Sequence, residues 1–116
     1  MATLFERIYA GEIPATVVYR DEDLIAFRDI HPAARVHILV VPRKAIPTMD
    51  DVADEDLPLI AKLFGVARDL ARSEGIAESG YRLLINCRPD SGQEVYHLHL
   101  HLIGGEPLGP LVGRRK

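Results

Sequence analysis

The segment "VYHLHLHLIGG", residues 95–105, constrains this chain more than any other. Histidine takes every second position, at His97, His99 and His101, and a leucine follows each. Successive side chains of a β-strand point to opposite faces. The alternation therefore predicts a strand with three imidazoles on one face and Leu98, Leu100 and Leu102 on the other. The leucine face has to pack on something apolar. That pins the register, because a slip of one residue would bury the imidazoles and expose the leucines. At ~3.3 Å per residue, neighbouring rings are spaced by about 6.6 Å along the strand.

The rest of the chain supplies the packing partners. Thr3 is placed to cap a short helix over "LFERIYAGE", with Leu4, Phe5 and Ile8 on one face and Gly11 at its end. "IPATVVYRDEDLIAFRDI" predicts a hairpin, with strands Val17–Arg20 and Leu24–Arg28 about the turn "DED". "HILVVP" is a third strand, closed by Pro42. "DEDLPLIAKLFGVARDLARSEG" is the clearest helix: Leu57, Ile60, Phe64, Ala67 and Leu70 or Ala71 recur at helical spacing. Acidic residues 54–56 favour its start, Pro58 fits only its first turn, and Gly75 ends it. "YRLLIN" is a fourth strand, "CRPDSGQE" a polar loop, and residues 95–105 the fifth strand. Strands joined mostly by short loops, with two helices to cover them, indicate an α+β domain built on an antiparallel sheet. Strand order does not follow from the pattern.

Composition bounds the function. A chain of 116 residues, 47% of them apolar, fits one domain with a real core. A domain of this size leaves apolar surface exposed, which a partner subunit would cover. The formal net charge of −3 argues against general nucleic-acid binding, which depends on Lys and Arg at phosphates. The basic tail "GRRK" reads as solvated. Cys87 is the only cysteine, so no internal disulfide forms and a reducing cytoplasm is the expected home. Following the apolar run "LLI", Cys87 reads as a buried, inert thiol. The N-terminus lacks the pattern of a secretory signal, and no apolar run approaches the ~20 residues that cross a bilayer.

Three readings of the histidine face compete. It is a half-exposed strand that uses histidine as its polar residue, or a metal site, or a catalytic site. Two histidines at i and i+2 on a strand can both reach one Zn²⁺, and Glu94 is available as a further ligand. In the catalytic reading a neutral imidazole attacks while its neighbours manage protons. The upstream loop "PDSGQEV" favours the last: Gly92 lets backbone approach a ligand, consecutive amides cradle an anion, and Asn86 adds a neutral donor. Such a site suits a phosphate ester, although spacing alone leaves metal open.

The complete pattern His97-Leu98-His99-Leu100-His101-Leu102-Ile103 resembles the signature of the histidine triad (HIT) family. "GQEVYHLHLHLIGG", "LFERIYAGEIPATVVYRDEDLIAFRDI" and "VHILVVPRKAIPTMDD" are similar to segments of its Hint branch, the purine nucleoside phosphoramidases. The resemblance spans about residues 3–110, taken as a HIT domain, with 111–116 as a C-terminal tail. It implies a five-stranded antiparallel sheet with two helices per subunit, and a homodimer in which two sheets form one larger sheet. It implies neither cofactor nor metal, and a purine nucleoside monophosphate or its phosphoramidate as ligand.

The resemblance also implies residue roles. His99 attacks the α-phosphorus through Nε2, giving a covalent nucleotidyl-histidine that water then releases, with its Nδ1 held by a backbone carbonyl. His101 bonds phosphate or the leaving group, His97 orients its neighbours, and His37 supports the triad. Asn86, Gly92, Gln93 and the backbone of Glu94 and Val95 match phosphate-contacting positions. Asp29 and Ile30 match the ribose site; Phe5, Ile8, Phe27 and Leu39 match the base pocket. Read without the resemblance, those four apolar residues are plain core, Asp29 a turn residue, Gly92 a turn glycine and His37 structural. Glu94 stands where some members carry Ser or Thr, so its side chain is expected to point away from an anion. Other triad-type reactions, such as dinucleoside polyphosphate hydrolysis or nucleotidyl transfer, and a nucleotide-binding regulatory protein are the alternative functions.

Overall fold

The computed structural model describes residues 1–112; the tail "GRRK", expected to be solvated, lies outside them. The elements run α1 (Leu4–Tyr9), β1 (Val17–Arg20), β2 (Leu24–Arg28), β3 (Val36–Pro42), α2 (Leu57–Ser73), β4 (Tyr81–Leu84) and β5 (Leu100–Gly104), with short 3₁₀ turns at Met49–Asp51, Asp54–Asp56 and Pro89–Ser91. All strands pair antiparallel in the order β1-β2-β3-β5-β4. This is the α+β sheet with two helices expected from the pattern, with β5 inserted between β3 and β4. No described helix is long and apolar enough to cross a membrane.

Register explains how one sheet carries two different faces. Residues directly opposite one another share a face. Phe27 pairs Leu39, and Leu39 pairs His101, so these lie on one side. Ala26 pairs Val40, and Val40 pairs Leu100, on the other. α2 covers the second side. There Leu24, Ala26, Ile38, Val40, Leu98, Leu100 and Leu102 meet Ile60, Leu63, Ala67, Leu70 and Ala71 in one buried cluster. α1 covers part of the first side with Phe5 and Ile8, against Ile25, Phe27, Leu39 and Val41. Being covered on both faces, β3 is a near-continuous apolar run.

Several expectations need correction. The fifth strand begins at Leu100, not at residue 95. His97 and His99 precede it in irregular backbone, where the Leu98 amide donates to the Ile46 carbonyl at 2.7 Å. The three leucines nonetheless stay fully buried, so alternation of burial outlasts the strand. β4 ends at Leu84, leaving Asn86 in the following loop. On α2 the buried stripe uses Leu63, whereas Phe64 and Leu57 are exposed. On α1 Leu4 is exposed while Phe5 and Ile8 are buried. Cys87 is partly exposed rather than buried.

Candidate active site

The uncovered part of the α1 face is a pocket of about 290 Å³. Its lining brings together Phe5, Ile8, Phe27, Asp29, Ile30, Leu39, Asn86, Gly92, Gln93, Glu94, Val95, His99 and His101. Every residue of the expected nucleotide site therefore borders one cavity. His97 and His37 lie behind it: both are buried, one ring edge-on to Phe5, the other against His101. Leu4, Ile13, Pro14, Ala15 and Arg28 also line the pocket and were missed. Helical periodicity offered no signal for the segment after α1, where Ile13 and Ala15 pack against the α1-side cluster.

Backbone partners fix the protonation of each ring. A carbonyl only accepts, so the ring nitrogen facing one carries the proton. His99 Nδ1 lies 2.9 Å from the His97 carbonyl, which leaves Nε2 with a free lone pair in the neutral ring. His97 Nε2 donates to the Pro42 carbonyl at 2.7 Å, and its Nδ1 faces the Thr3 hydroxyl at 2.6 Å. The Ala33 amide donates to His37 Nδ1 at 3.0 Å, so the His37 proton sits on Nε2, 2.9 Å from His101 Nδ1. His101 then carries its proton on Nε2, a buried atom with no hydrogen-bond partner among the described residues. The chain thus presents a bare nucleophilic nitrogen on His99 next to an N–H donor on His101, with ring centroids 4.9 Å apart.

Electrostatics keep these rings neutral. Burial pushes His37, His97 and His99 below the usual imidazole range. His101 is pushed down to about 4, by burial first and then by the neighbouring His99 and His37. A neutral imidazole is the form able to attack.

The loop before the triad is buckled by Gln93. This buried side chain accepts from the Arg88 amide at 2.7 Å and donates to the Pro47 and Val95 carbonyls at 2.9 and 3.1 Å. Its polar atoms are all engaged by backbone groups, within the loop and at Pro47, so its side chain holds the loop rather than reaching a ligand. Gly92 has φ +90°, with nothing within 4 Å of an added Cβ. The dihedral, rather than crowding, demands glycine there. The amides of Glu94 and Val95 make no hydrogen bond within the described residues, and the Glu94 side chain is exposed. Both residues line the pocket together with His99 and His101.

Asp29 Oδ1 accepts from the His31 amide at 2.8 Å, so its turn role is real. Its Oδ2 lies 3.5 Å from His37 Nε2, and the carboxylate still lines the pocket. Asp29, His37 and His101 each offer a ligand atom within 4.8 Å of the others. Two imidazoles and a carboxylate can hold a zinc-like ion. Here the carboxylate beside the histidines is Asp29, not Glu94, and metal binding would break the His37–His101 hydrogen bond.

A model of the HIT domain matches residues 10–108. The purine nucleoside phosphoramidase of Escherichia coli (strain K12) is 48% identical over 113 residues, 97% of this chain and 95% of its own. The crystal structure of a HIT family hydrolase from Legionella pneumophila is 51% identical, with a TM-score of 0.89 over 91% of this chain and 95% of that one. A histidine triad protein from Clostridium difficile superposes with a TM-score of 0.92 at 38% identity, over 97% of each chain. The triad pattern, the five-stranded sheet and these similarities agree: this chain belongs to the HIT domain family.

Proposed function

We propose that this chain hydrolyses the P–N bond of purine nucleoside 5′-phosphoramidates, or the acyl–phosphate bond of aminoacyl adenylates, through a covalent nucleotidyl-histidine. One observation carries the reading: the His97 carbonyl holds His99 Nδ1–H, leaving the Nε2 lone pair free beside the unpartnered His101 Nε2–H. The substrate class is supported by the 48% identical relative called a purine nucleoside phosphoramidase.

The chemistry follows from the proton positions. His99 Nε2 attacks the α-phosphorus, forming an N–P bond as the bond to the leaving amine breaks. His101 Nε2–H hydrogen-bonds the leaving nitrogen, which departs as the amine with a proton taken from solvent, so His101 stays neutral. Water then attacks phosphorus, the N–P bond to His99 breaks, and the water proton passes to solvent. Splitting one displacement into two lowers each barrier. The Glu94 and Val95 amides stabilise charge on the phosphoryl oxygens, with Asn86 adding a neutral donor. Asp29 accepts from the ribose hydroxyls beside Ile30, and Phe5, Ile8, Phe27 and Leu39 hold the base.

The active unit is a homodimer formed by the HIT domain, residues 3–110. β4 is an edge strand whose four residues are all half-buried, and a second copy pairing there would continue the sheet. The reading places it in the cytoplasm, with neither nucleic acid nor membrane as partner.

The test is rapid-quench mass spectrometry on the wild type and His99→Gly. The wild type should carry a nucleotidyl adduct on His99. The variant should lose turnover by about 10³-fold or more while nucleoside monophosphate binding persists, since base and ribose contacts lie elsewhere. Turnover retained in His99→Gly would remove the covalent route.

A further inference from the structure

We propose that Thr3 is a positioning residue for the nucleophile, acting through His97; this rests on the reading of His99 as nucleophile. Thr3 and His97 are 94 positions apart, yet Thr3 Oγ1 sits 2.6 Å from His97 Nδ1. The His97 ring is 1% exposed, so no bulk solvent substitutes for that partner. Its Nε2 proton is committed to the Pro42 carbonyl, which leaves Nδ1 a bare acceptor that needs a donor. The Thr3 hydroxyl supplies it. The same oxygen accepts the Glu6 amide at 3.1 Å and so caps α1, while the Glu6 carboxylate accepts the Thr3 amide at 2.8 Å. A single hydroxyl thereby joins a helix cap to the triad.

The consequence reaches the reacting nitrogen in one further step. His97 is gripped at both ends, by α1 through Thr3 and by the end of β3 through Pro42. Its own carbonyl holds His99 Nδ1–H. Whatever fixes the His97 ring therefore fixes the carbonyl that sets the His99 tautomer. With both ring nitrogens occupied, His97 has no proton to offer the substrate. Phe5, on the first turn of α1, lies edge-on to His97 and His99, at centroid distances of 5.6 and 5.0 Å. α1 thus meets the nucleophile by a hydrogen-bonded route and by a packed one.

Four proteins separate this role from helix capping: wild type, Thr3→Val, Thr3→Ser and Glu6→Ala. Glu6→Ala breaks the other half of the capping box and leaves the Thr3–His97 bond in place. Thr3→Val should lower kcat about tenfold, with the nucleoside monophosphate Kd changed less than about threefold, since it removes the donor without touching the pocket lining. Thr3→Ser and Glu6→Ala should both stay within about twofold of wild-type kcat. Nitrogen-15 NMR of histidine-labelled wild type and Thr3→Ser should show His97 neutral, protonated on Nε2 and bare on Nδ1, whether or not Thr3→Val folds. A His97 protonated on Nδ1 at neutral pH, a Thr3→Val protein with unaltered kcat, or equal losses in Thr3→Val and Glu6→Ala would each overturn the proposal. The His99→Gly protein, assayed alongside, reports on the covalent reading independently: its inactivity keeps that reading standing even if Thr3 proves to be a cap alone.

Discussion

The two faces of the sheet are made from the same strands and behave differently. On the α2 side a 17-residue helix seals the surface, and Leu24, Ile38, Val40, Leu63, Leu98, Leu100 and Leu102 are fully buried. On the other side a 6-residue helix covers part of the surface, and the uncovered part is a pocket with four histidines in or behind it. The alternation of a pleated strand allows this division: Leu39 and His101 face the pocket while their neighbours Val40, Leu100 and Leu102 face the core. One face secures the fold, so the other can hold polar groups in a geometry that burial alone would not favour.

Truncation on each face tests that division with the largest expected effects. Leu63→Ala opens a cavity in the sealed face and should cost about 2–5 kcal/mol of stability. Activity per folded molecule should stay within about twofold, because Leu63 touches nothing in the pocket. Phe5→Ala should lower both stability and turnover, since its ring packs on Phe27 and on two triad rings. Denaturant titration with parallel assays checks both, and a Leu63→Ala protein slowed as much as Phe5→Ala would break the comparison.

Between about pH 6.5 and 5, above the carboxylate range, acid should act on the histidine face. The buried α2-side cluster holds no imidazole and no carboxylate, whereas His37, His97, His99 and His101 all titrate below the usual imidazole range. The unfolded chain then binds protons that the folded site refuses, so stability falls as pH drops below about 6.5. For His101, with its value near 4, the loss across that window is about 3 kcal/mol. His101→Asn should flatten the slope between pH 6.5 and 5, as followed by urea unfolding. An unchanged slope would place the acid sensitivity elsewhere.

Much of this arrangement was legible in the sequence because local rules and tertiary packing agree. The leucines of the triad segment are buried as their spacing requires, Pro58 stands in the first turn of α2, and Thr3 caps α1. Where reading failed, two patterns fitted equally well. On α2, Phe64 and Leu63 both satisfy a helical stripe, and only docking against β3 and β5 selects Leu63. Residues 95–99 alternate like a strand, yet Gln93 and the His97 contacts hold them in a bend. The second role of Thr3 left no local signal, because its partner lies 94 positions away. The resemblance to the HIT family supplied the pocket residues; four of them, Phe5, Ile8, Phe27 and Leu39, periodicity alone would have assigned to core, and each is both buried and pocket-lining.

The smallest predicted effect concerns the rim between the faces. Arg88 has φ +68° and ψ −177°, the one positive φ outside glycine among the described residues. A side chain in that region costs about 1–3 kcal/mol, so something must hold it there. The holding is local. Its amide donates to Gln93 Oε1, and its carbonyl accepts from the Ser91 amide and hydroxyl at 3.2 and 2.7 Å. The Arg88 guanidinium adds only exposed ion pairs, to Asp50 at 3.1 Å and Asp51 at 3.6 Å, worth about 0–1 kcal/mol together. Arg88→Gly keeps every backbone bond and removes the strain. It gives up the ion pairs, and it also pays about 0.4–1 kcal/mol for the freer unfolded chain. At the middle of these ranges the balance is a gain of about 1 kcal/mol, read as a rise in the urea midpoint with kcat unchanged. A destabilised Arg88→Gly would mean that the ion pairs, not the Gln93 buckle, hold the loop of residues 88–93; the loop would then depend on surface charge and loosen with added salt.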